Sequence, residues 1–222
     1  MKVVEDWLIE AAREYNLDSL ANRDSYAAVL LMPIETMETI LDWTFSSLPD
    51  EILVGMDPNP AKSNPGETIE AYSGSAKKDN LFAGQGFVLG QPHFVNRGNS
   101  EEVHHVPEEW VDGIFAQERG VRGGRFTHWL HTHPNAPAIP SEADANAAQW
   151  TEGIDMILGI HFFNKRHSSW LKNIGINDRT KLNPIGRTKT GHNILGLEMI
   201  GFHRTGFGVN LVITDENGNA IV

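Results

Sequence analysis

The residues of this chain best suited to chemistry lie between positions 131 and 144. The segment His131-Thr132-His133-Pro134 supplies two imidazoles, and Ser141 and Asp144 follow it with a hydroxyl and a carboxylate. Two imidazoles and a carboxylate form a ligand set that catalytic zinc sites use, with a fourth coordination position left for water. The segment therefore predicts a zinc site of the hydrolase type.

The two histidines are expected on one strand. The run from Arg125 to His133 is rich in β-branched and aromatic residues and stops at Pro134, which is typical of a strand. Side chains two apart on a strand share a face, so His131 and His133 point the same way, about 6.5–7 Å apart along the strand. Each can offer a ring nitrogen to a metal held roughly 2.0–2.1 Å away. His128 points to the other face.

The carboxylate is expected at a helix start. After a turn, the pattern Ser-x-x-Asp predicts Ser141 as the N-cap and Asp144 in the first turn of a helix that runs to Trp150. This geometry brings Asp144 back toward the end of the strand. Each pattern also has an ordinary explanation, since Ser-x-x-Asp is a common capping box and His-x-His on a strand is often polar surface. Their combination favours the metal site.

Together these residues resemble the motif of the JAMM, or MPN-plus, metalloproteases. That motif is an upstream glutamate, then His-x-His-Pro, six residues, Ser, two residues and Asp, and the chain matches it from His131 to Asp144. The resemblance implies that His131, His133 and Asp144 bind Zn²⁺. It also implies that Ser141 steadies the oxyanion and that Pro134 redirects the chain toward the helix.

The upstream glutamate of the family is the general base, at the start of a strand that follows the first core helix. Here apolar residues at helical spacing predict a helix from Ile34 to Leu48, and Glu51 opens the apolar run that ends at Gly55. The resemblance therefore makes Glu51 the general base. Without it, an ordinary exposed carboxylate at a helix-to-strand junction is the simpler interpretation. Rivals for the role are Asp50, Glu67, Glu70, Glu101 and Glu102.

The resemblance implies a specific reaction. Zinc lowers the pKa of its bound water to about 7, Glu51 accepts the water proton and passes it to the leaving amine, and Ser141 helps to stabilise the carbonyl oxygen. The expected enzyme is a zinc-dependent isopeptidase or peptidase of the deubiquitinase-like kind. Its substrates would be conjugates of a ubiquitin-like protein, cleaved after the C-terminal Gly-Gly.

Two other functions stay open at this stage. One is a non-catalytic scaffold or binding module, as in family members that lack the motif. The other is a zinc hydrolase of small amides, because substrate choice is set by loops that the motif does not include. Two imidazoles and a carboxylate can also hold other divalent ions in vitro.

Composition narrows the classes of function. The 222 residues, 40% of them hydrophobic, can bury one sizeable core. The absence of cysteine excludes disulfides, thiolate ligands and a cysteine nucleophile. A net charge of −11 disfavours nucleic-acid binding, and neither a signal peptide nor a membrane-spanning apolar run is evident. We therefore expect a cytoplasmic protein that binds neither nucleic acid nor membranes.

The order of predicted elements suggests an α/β (α+β) fold in which a curved mixed β-sheet is flanked by helices, as in the MPN domain. We expect one domain over residues 1–222, with an N-terminal helical extension at 1–24 and loop insertions at 57–85 and 164–193. Residues 165–189 carry seven basic residues against one acid. This basic segment could dock an acidic protein or simply be a solvated loop. The N-terminal helix could pack on the domain or form a dimer contact, and the oligomeric state stays open.

Overall fold

The computed structural model describes residues 4–26, 28–62, 87–106, 108–119, 125–164 and 183–222. Its α-helices in these ranges are α1 (Asp6–Ala21), α2 (Ile34–Ser47), α3 (Glu108–Arg119) and α4 (Glu142–Ala147), with short 3₁₀ helices at Arg23–Ser25 and Ala148–Trp150. Its strands are β1 (Ala28–Pro33), β2 (Ile52–Pro58), β3 (Leu89–Arg97), β4 (His128–Pro134), β5 (Ile154–Asn164), β6 (Gly186–Arg187), β7 (His192–His203) and β8 (Gly208–Thr214). None of the helices described is both long enough and apolar enough to cross a membrane.

The strands form one mixed sheet in the order β1-β8-β7-β5-β4-β2-β3, with β6 paired to β7. The pairs β1–β8 and β4–β5 are parallel, and the other pairs are antiparallel. The sheet curves until its two edges meet, where the Leu31 amide donates to the Phe87 carbonyl at 2.7 Å and Leu31 bridges Val88. The predicted fold class, a curved mixed sheet flanked by helices in a single domain, is confirmed.

Helix α2 packs on the sheet through the main core. It begins directly after Pro33, whose fixed φ suits the residue before a first helical turn. Ile34, Met37, Ile40 and Leu41 recur at helical spacing and are at most 5% exposed. The helix ends before Pro49, and this stop positions Glu51 at the entrance to β2.

Helix α1 also packs within its own chain. Its apolar side chains Trp7, Leu8, Ala11 and Ala12 are buried in the main core. The face that could have served as a dimer contact is therefore occupied by the sheet and by neighbouring helices, and the packed-extension alternative is the one that the structure adopts.

Polar side chains of α1 complete the edge of β8. Strand β8 pairs with β7 only near Gly208 and Val209, and beyond that point Asn16 substitutes for a neighbouring strand. The Asn16 Nδ2 donates to the carbonyls of Ile213 at 2.7 Å and Ile221 at 2.8 Å, and its Oδ1 accepts from the Ile213 amide at 2.9 Å. Ser19 donates to the Leu211 carbonyl at 3.0 Å. We call this contact the α1–β8 seam; it also includes a hydrogen bond between Ser19 and Asn210.

Several predicted boundaries change. Asp57 and Pro58, expected at the start of the first insertion, are the last residues of β2, and residues 63–86 lie outside the described ranges. Of the second insertion, residues 165–182 also lie outside them, whereas Arg187 belongs to β6. Helix α4 was predicted to reach Trp150 but ends at Ala147 and continues as a 3₁₀ turn.

Candidate metal centre

Strand β4 carries the two histidines in the middle of the sheet, between β2 and β5. The alternation of a strand puts His131 and His133 on one face, and their Nε2 atoms lie 3.1 Å apart. Two nitrogens bound to one tetrahedral zinc at roughly 2.0–2.1 Å would be about 3.3 Å apart. The rings therefore converge on a point where one ion fits.

The ring of His133 is held in the tautomer that a metal ligand needs. Its Nδ1 donates to the Pro137 carbonyl at 2.9 Å, which leaves the lone pair of Nε2 free to bind a cation. Burial lowers the pKa of His133, and the charge of His131 lowers it further, against the Pro137 carbonyl and Asp144, which raise it. A neutral imidazole at neutral pH is the form that coordinates metal ions.

The turn after β4 is fixed by two special residues. Asn135 has φ of 59°, in the left-handed region that asparagine tolerates, and its Oδ1 accepts from the Phe162 amide at 2.9 Å. Gly159 on β5 lets the turn lie against the sheet, because a Cβ there would be 2.8 Å from the Ala136 carbonyl oxygen. These two residues therefore define the backbone conformation of the turn that connects β4 to α4.

Asp144 reaches the histidines through the predicted capping box. The Ser141 amide donates to Asp144 Oδ2 at 2.7 Å, and the Asp144 amide donates to Ser141 Oγ at 3.2 Å. The other carboxylate oxygen, Oδ1, lies 3.3 Å from His131 Nε2. The cap thus aims one oxygen at the helix and the other at the site.

Ser141 keeps a donor available. Its Oγ accepts from the Asp144 amide, but a hydroxyl also carries one hydrogen of its own. The residue is exposed at the start of α4, so this hydrogen can reach a bound molecule.

Glu51 joins the site through the pairing of β2 with β4. Leu53 faces His131 in this antiparallel pair, and extending the register places Glu51 opposite His133. The ligand atoms of Glu51, His131 and His133 all lie within 4.8 Å of one another, so this group can hold a metal ion. The main chain of Glu51 is fixed on both sides, because its amide donates to the Asn99 carbonyl and its carbonyl accepts from the Gly98 amide.

The rival carboxylates are placed differently. Asp50 forms an ion pair with Arg97 at 2.6 Å. Glu101 is exposed, and Glu102 is exposed as well, although its charge acts on Glu51. Glu67 and Glu70 lie outside the described residues. Of the rivals that can be placed, none shares the group formed by Glu51 and the two histidines.

The two carboxyl groups of the site are shifted in opposite directions. Burial raises the pKa of Glu51 to about 7; His131 opposes this rise, while the charges of Asp144 and Glu102 add to it. Burial also acts to raise the pKa of Asp144, but hydrogen bonds and charge from His131 and Ser141 hold it well below its usual range. Asp144 is thus always ionised near neutral pH, whereas Glu51 can take up or release a proton.

Two residues beside the site, Asp155 and His105, were given no role in it from the sequence. Asp155 on β5 is 4% exposed and lies next to Trp129. Burial raises the pKa of Asp155 to about 6, against the Thr151 hydroxyl and His131. An aspartate in the apolar run of β5 was a signal that could have found it. The ring of His105 lies 4.7 Å from that of Trp129, and burial and His131 lower the pKa of His105 to about 4.

A further pair supports the turn from behind. The sequence offered no ligand-like partner for His161, but its Nε2 lies 2.7 Å from Glu198 Oε1 on β7. The other oxygen of Glu198 accepts from the Ala138 amide at 3.2 Å. Because Ala138 follows Pro137, this pair helps to fix the carbonyl that orients His133.

Comparison with known proteins adds little to this geometry. No protein-family model matches the chain, and no curated protein matches it. Among solved structures, a protein from Desulfitobacterium hafniense, determined in solution as a structural-genomics target, is 12% identical. The match covers 85% of this chain and 94% of that one, with a TM-score of 0.40. Any account of function therefore depends on the site itself.

Proposed function

We propose that the protein is a zinc-dependent metallo-isopeptidase or peptidase that hydrolyses the amide bond after the C-terminal Gly-Gly of a ubiquitin-like modifier. The observation that carries this proposal is that Glu51 forms one group with His131 and His133, while Asp144 Oδ1 lies 3.3 Å from His131 Nε2. These are the residues by which the chain resembles the JAMM metalloproteases.

The donor set suits zinc. Two imidazoles, one of them oriented by the Pro137 carbonyl, and a carboxylate that stays ionised are the ligands of many catalytic zinc sites. When bound, zinc supplies a Lewis acid that activates water and polarises a substrate carbonyl. His131, His133 and Asp144 would hold the ion in this arrangement.

The opposed pKa shifts of the two carboxyl groups support different roles for them. A group that stays ionised serves as a ligand, whereas a general base works best when its pKa lies near the operating pH. Asp144 fits the first role and Glu51 the second. Glu51 would take a proton from the attacking water and deliver it to the leaving amine.

Ser141 would act on the substrate carbonyl. Its free hydroxyl hydrogen can donate to the oxygen on which negative charge builds up as the carbonyl is attacked. The capping box fixes the direction of this hydroxyl, because its oxygen is already bonded to the Asp144 amide.

A protein substrate is supported by two exposed apolar side chains in the segments before and after α4. Ile139, in the turn after β4, is 65% exposed, and Trp150, after α4, is 73% exposed. Exposed apolar side chains beside a catalytic group can contact an apolar patch on a folded partner. Docking of an acidic protein on residues 165–189 and a cytoplasmic location stay predictions.

The test measures metal content and cleavage together. Elemental analysis should find one zinc per wild-type chain and none in His131→Ala or Asp144→Ala. Glu51→Gln should retain zinc but cleave a Gly-Gly conjugate of a ubiquitin-like protein about 10²–10⁴-fold more slowly. The exposed Glu101→Gln serves as the matched control and should cleave at the wild-type rate.

Other outcomes would change the conclusion. Equal cleavage by Glu51→Gln and the wild type would remove Glu51 as the base. Rapid turnover of dipeptides with inert conjugates would favour a hydrolase of small amides. A wild type that is folded yet binds no metal would favour a non-catalytic scaffold.

A further inference from the structure

Asp155 is a buried carboxylate whose hydrogen bonding is incomplete. Only 4% of the residue is exposed, and its Oδ2 has no hydrogen-bond partner among the described residues. Buried polar atoms are nearly always paired with protein or with ordered water, because leaving one unpaired costs free energy. We therefore expect Asp155 Oδ2 to have a nearby hydrogen-bond donor, either a protein group or an ordered water.

The strand register places Asp155 on the face of the metal centre. In the parallel β4–β5 pair, Asp155 lies beside Trp129, and Ile157 lies beside His131. Paired residues of neighbouring strands share a face, so Asp155 is the diagonal neighbour of His131, with Cα atoms about 8 Å apart. At that distance the two side chains leave room for one bridging water.

The two histidines differ in their outer contacts. The Nδ1 of His133 donates directly to the Pro137 carbonyl. The Nε2 of His131 faces His133 and Asp144, so its Nδ1 points away from the ion position. Within the part of the chain that the structure describes, Nδ1 of His131 has no such direct acceptor. Ligating histidines almost always donate this second N–H to a carboxylate, a carbonyl or water.

We infer that Asp155 is the outer acceptor for the Nδ1–H of His131, reached through one bridging water, and that it fixes the ring so that Nε2 faces the metal. Asp155 is thus a positioning residue, which acts through His131 and does not touch substrate. The inference rests on the zinc site of the proposed function but is independent of the substrate.

The experiment measures zinc affinity by competition with a chromophoric chelator. Metal-stripped wild type is compared with Asp155→Asn, which keeps the size of the side chain, and with Asp155→Leu, which removes its acceptor. The melting temperature of each metal-free protein is recorded in parallel. Asp57→Asn is the matched control, because it removes another largely buried carboxylate that lies outside the metal centre.

Loss of an outer acceptor should weaken zinc binding about 10–100-fold in Asp155→Leu, with a smaller loss in Asp155→Asn. Asp57→Asn should bind zinc as tightly as the wild type even though it melts earlier. If both Asp155 variants bind zinc like the wild type and only their melting temperatures change, the residue is structural and the inference is wrong. A wild type that binds no zinc would overturn the proposed function as well, which distinguishes the two failures.

Discussion

The α1–β8 seam and the metal centre both bury polar side chains, but the two regions differ in the charge of these groups and in how completely they are hydrogen-bonded. In the seam the groups are neutral, and Asn16 and Ser19 donate to backbone carbonyls of β8. In the metal centre the groups are ionisable, the Nε2 atoms of two imidazoles lie 3.1 Å apart, and a buried oxygen of Asp155 lacks a partner among the described residues. The seam therefore stabilises the fold, whereas the metal centre gathers ionisable groups in an arrangement that can hold a cation.

The largest effect is expected from breaking the seam. Asn16→Ala leaves the amide of Ile213 and the carbonyl of Ile221 without their partner, whereas the carbonyl of Ile213 still accepts from the Ile221 amide at 3.2 Å. Each unpaired buried group costs about 1–3 kcal/mol, so with two such groups the free energy of unfolding should fall by roughly 2–6 kcal/mol in denaturant titrations.

The control for this change is Asn22→Ala, just after the C-terminal end of α1. Asn22 Nδ2 donates to the Asp18 carbonyl at an exposed position, so Asn22→Ala should cost under about 1 kcal/mol. Zinc content should be normal in both variants. Equal destabilisation by the two changes would mean that the seam is not the special contact described here.

The metal centre should respond to pH in a way that the seam does not. The pKa of Glu51 in the folded protein is about 7, above its ordinary value of 4.5, so the stability it contributes is full below pH 4.5 and is lost as pH rises to 7. In metal-free protein, the free energy of unfolding of the wild type minus that of Glu51→Gln should therefore fall by about 3 kcal/mol across this window.

Saturation with zinc should abolish this fall, because a nearby cation stabilises the ionised carboxylate. Chemical unfolding at a series of pH values measures both curves. A difference that stays flat in metal-free protein would show that burial does not raise the pKa of Glu51.

The cluster of Asp57, Arg119 and Thr127 shows what happens when a carboxylate is charged, as in the metal centre, but fully hydrogen-bonded, as the side chains of the seam are. Asp57 is ionisable but fully partnered, with Arg119 at 2.8 Å and the Thr127 amide at 3.1 Å. Although burial acts to raise it, these contacts lower the pKa of Asp57. Asp57→Asn should cost about 2 kcal/mol at neutral pH.

The pH dependence of this third change has the opposite sign to that of Glu51. A lowered pKa gives stability that is present above the ordinary value of 3.8 and is lost as pH falls through the folded pKa. The difference in the free energy of unfolding between the wild type and Asp57→Asn should therefore become smaller in acid. A gap that widens there would contradict the pairing with Arg119.

Much of the fold could be predicted because its elements carry strong periodic patterns. Helix α2 and strand β4, which stops at Pro134 as expected, were found within a few residues of their bounds. Boundaries failed where tertiary contacts decide them. Asp57 was assigned to a loop because aspartate and proline are typical of turns, but β2 continues through it because Pro58 pairs with Leu89 of β3.

The seam could not be predicted in the same way. The spacing of Asn16 and Ser19 is typical of the polar side of an amphipathic helix. It does not indicate that β8 stops pairing with β7 after Val209 and that its backbone then bonds to other groups. Asp155 was missed for a similar reason, since its importance comes from the strand beside it.

What the sequence alone determined is the short-range half of the site. Strand alternation fixes the common face of His131 and His133, and a capping box fixes the direction of Asp144, because both depend on the backbone geometry of contiguous residues. Only the tertiary structure brought Glu51 and Asp155 to that face. Their positions depend on the registers of β2 and β5 against β4, and burial of the whole core sets those registers.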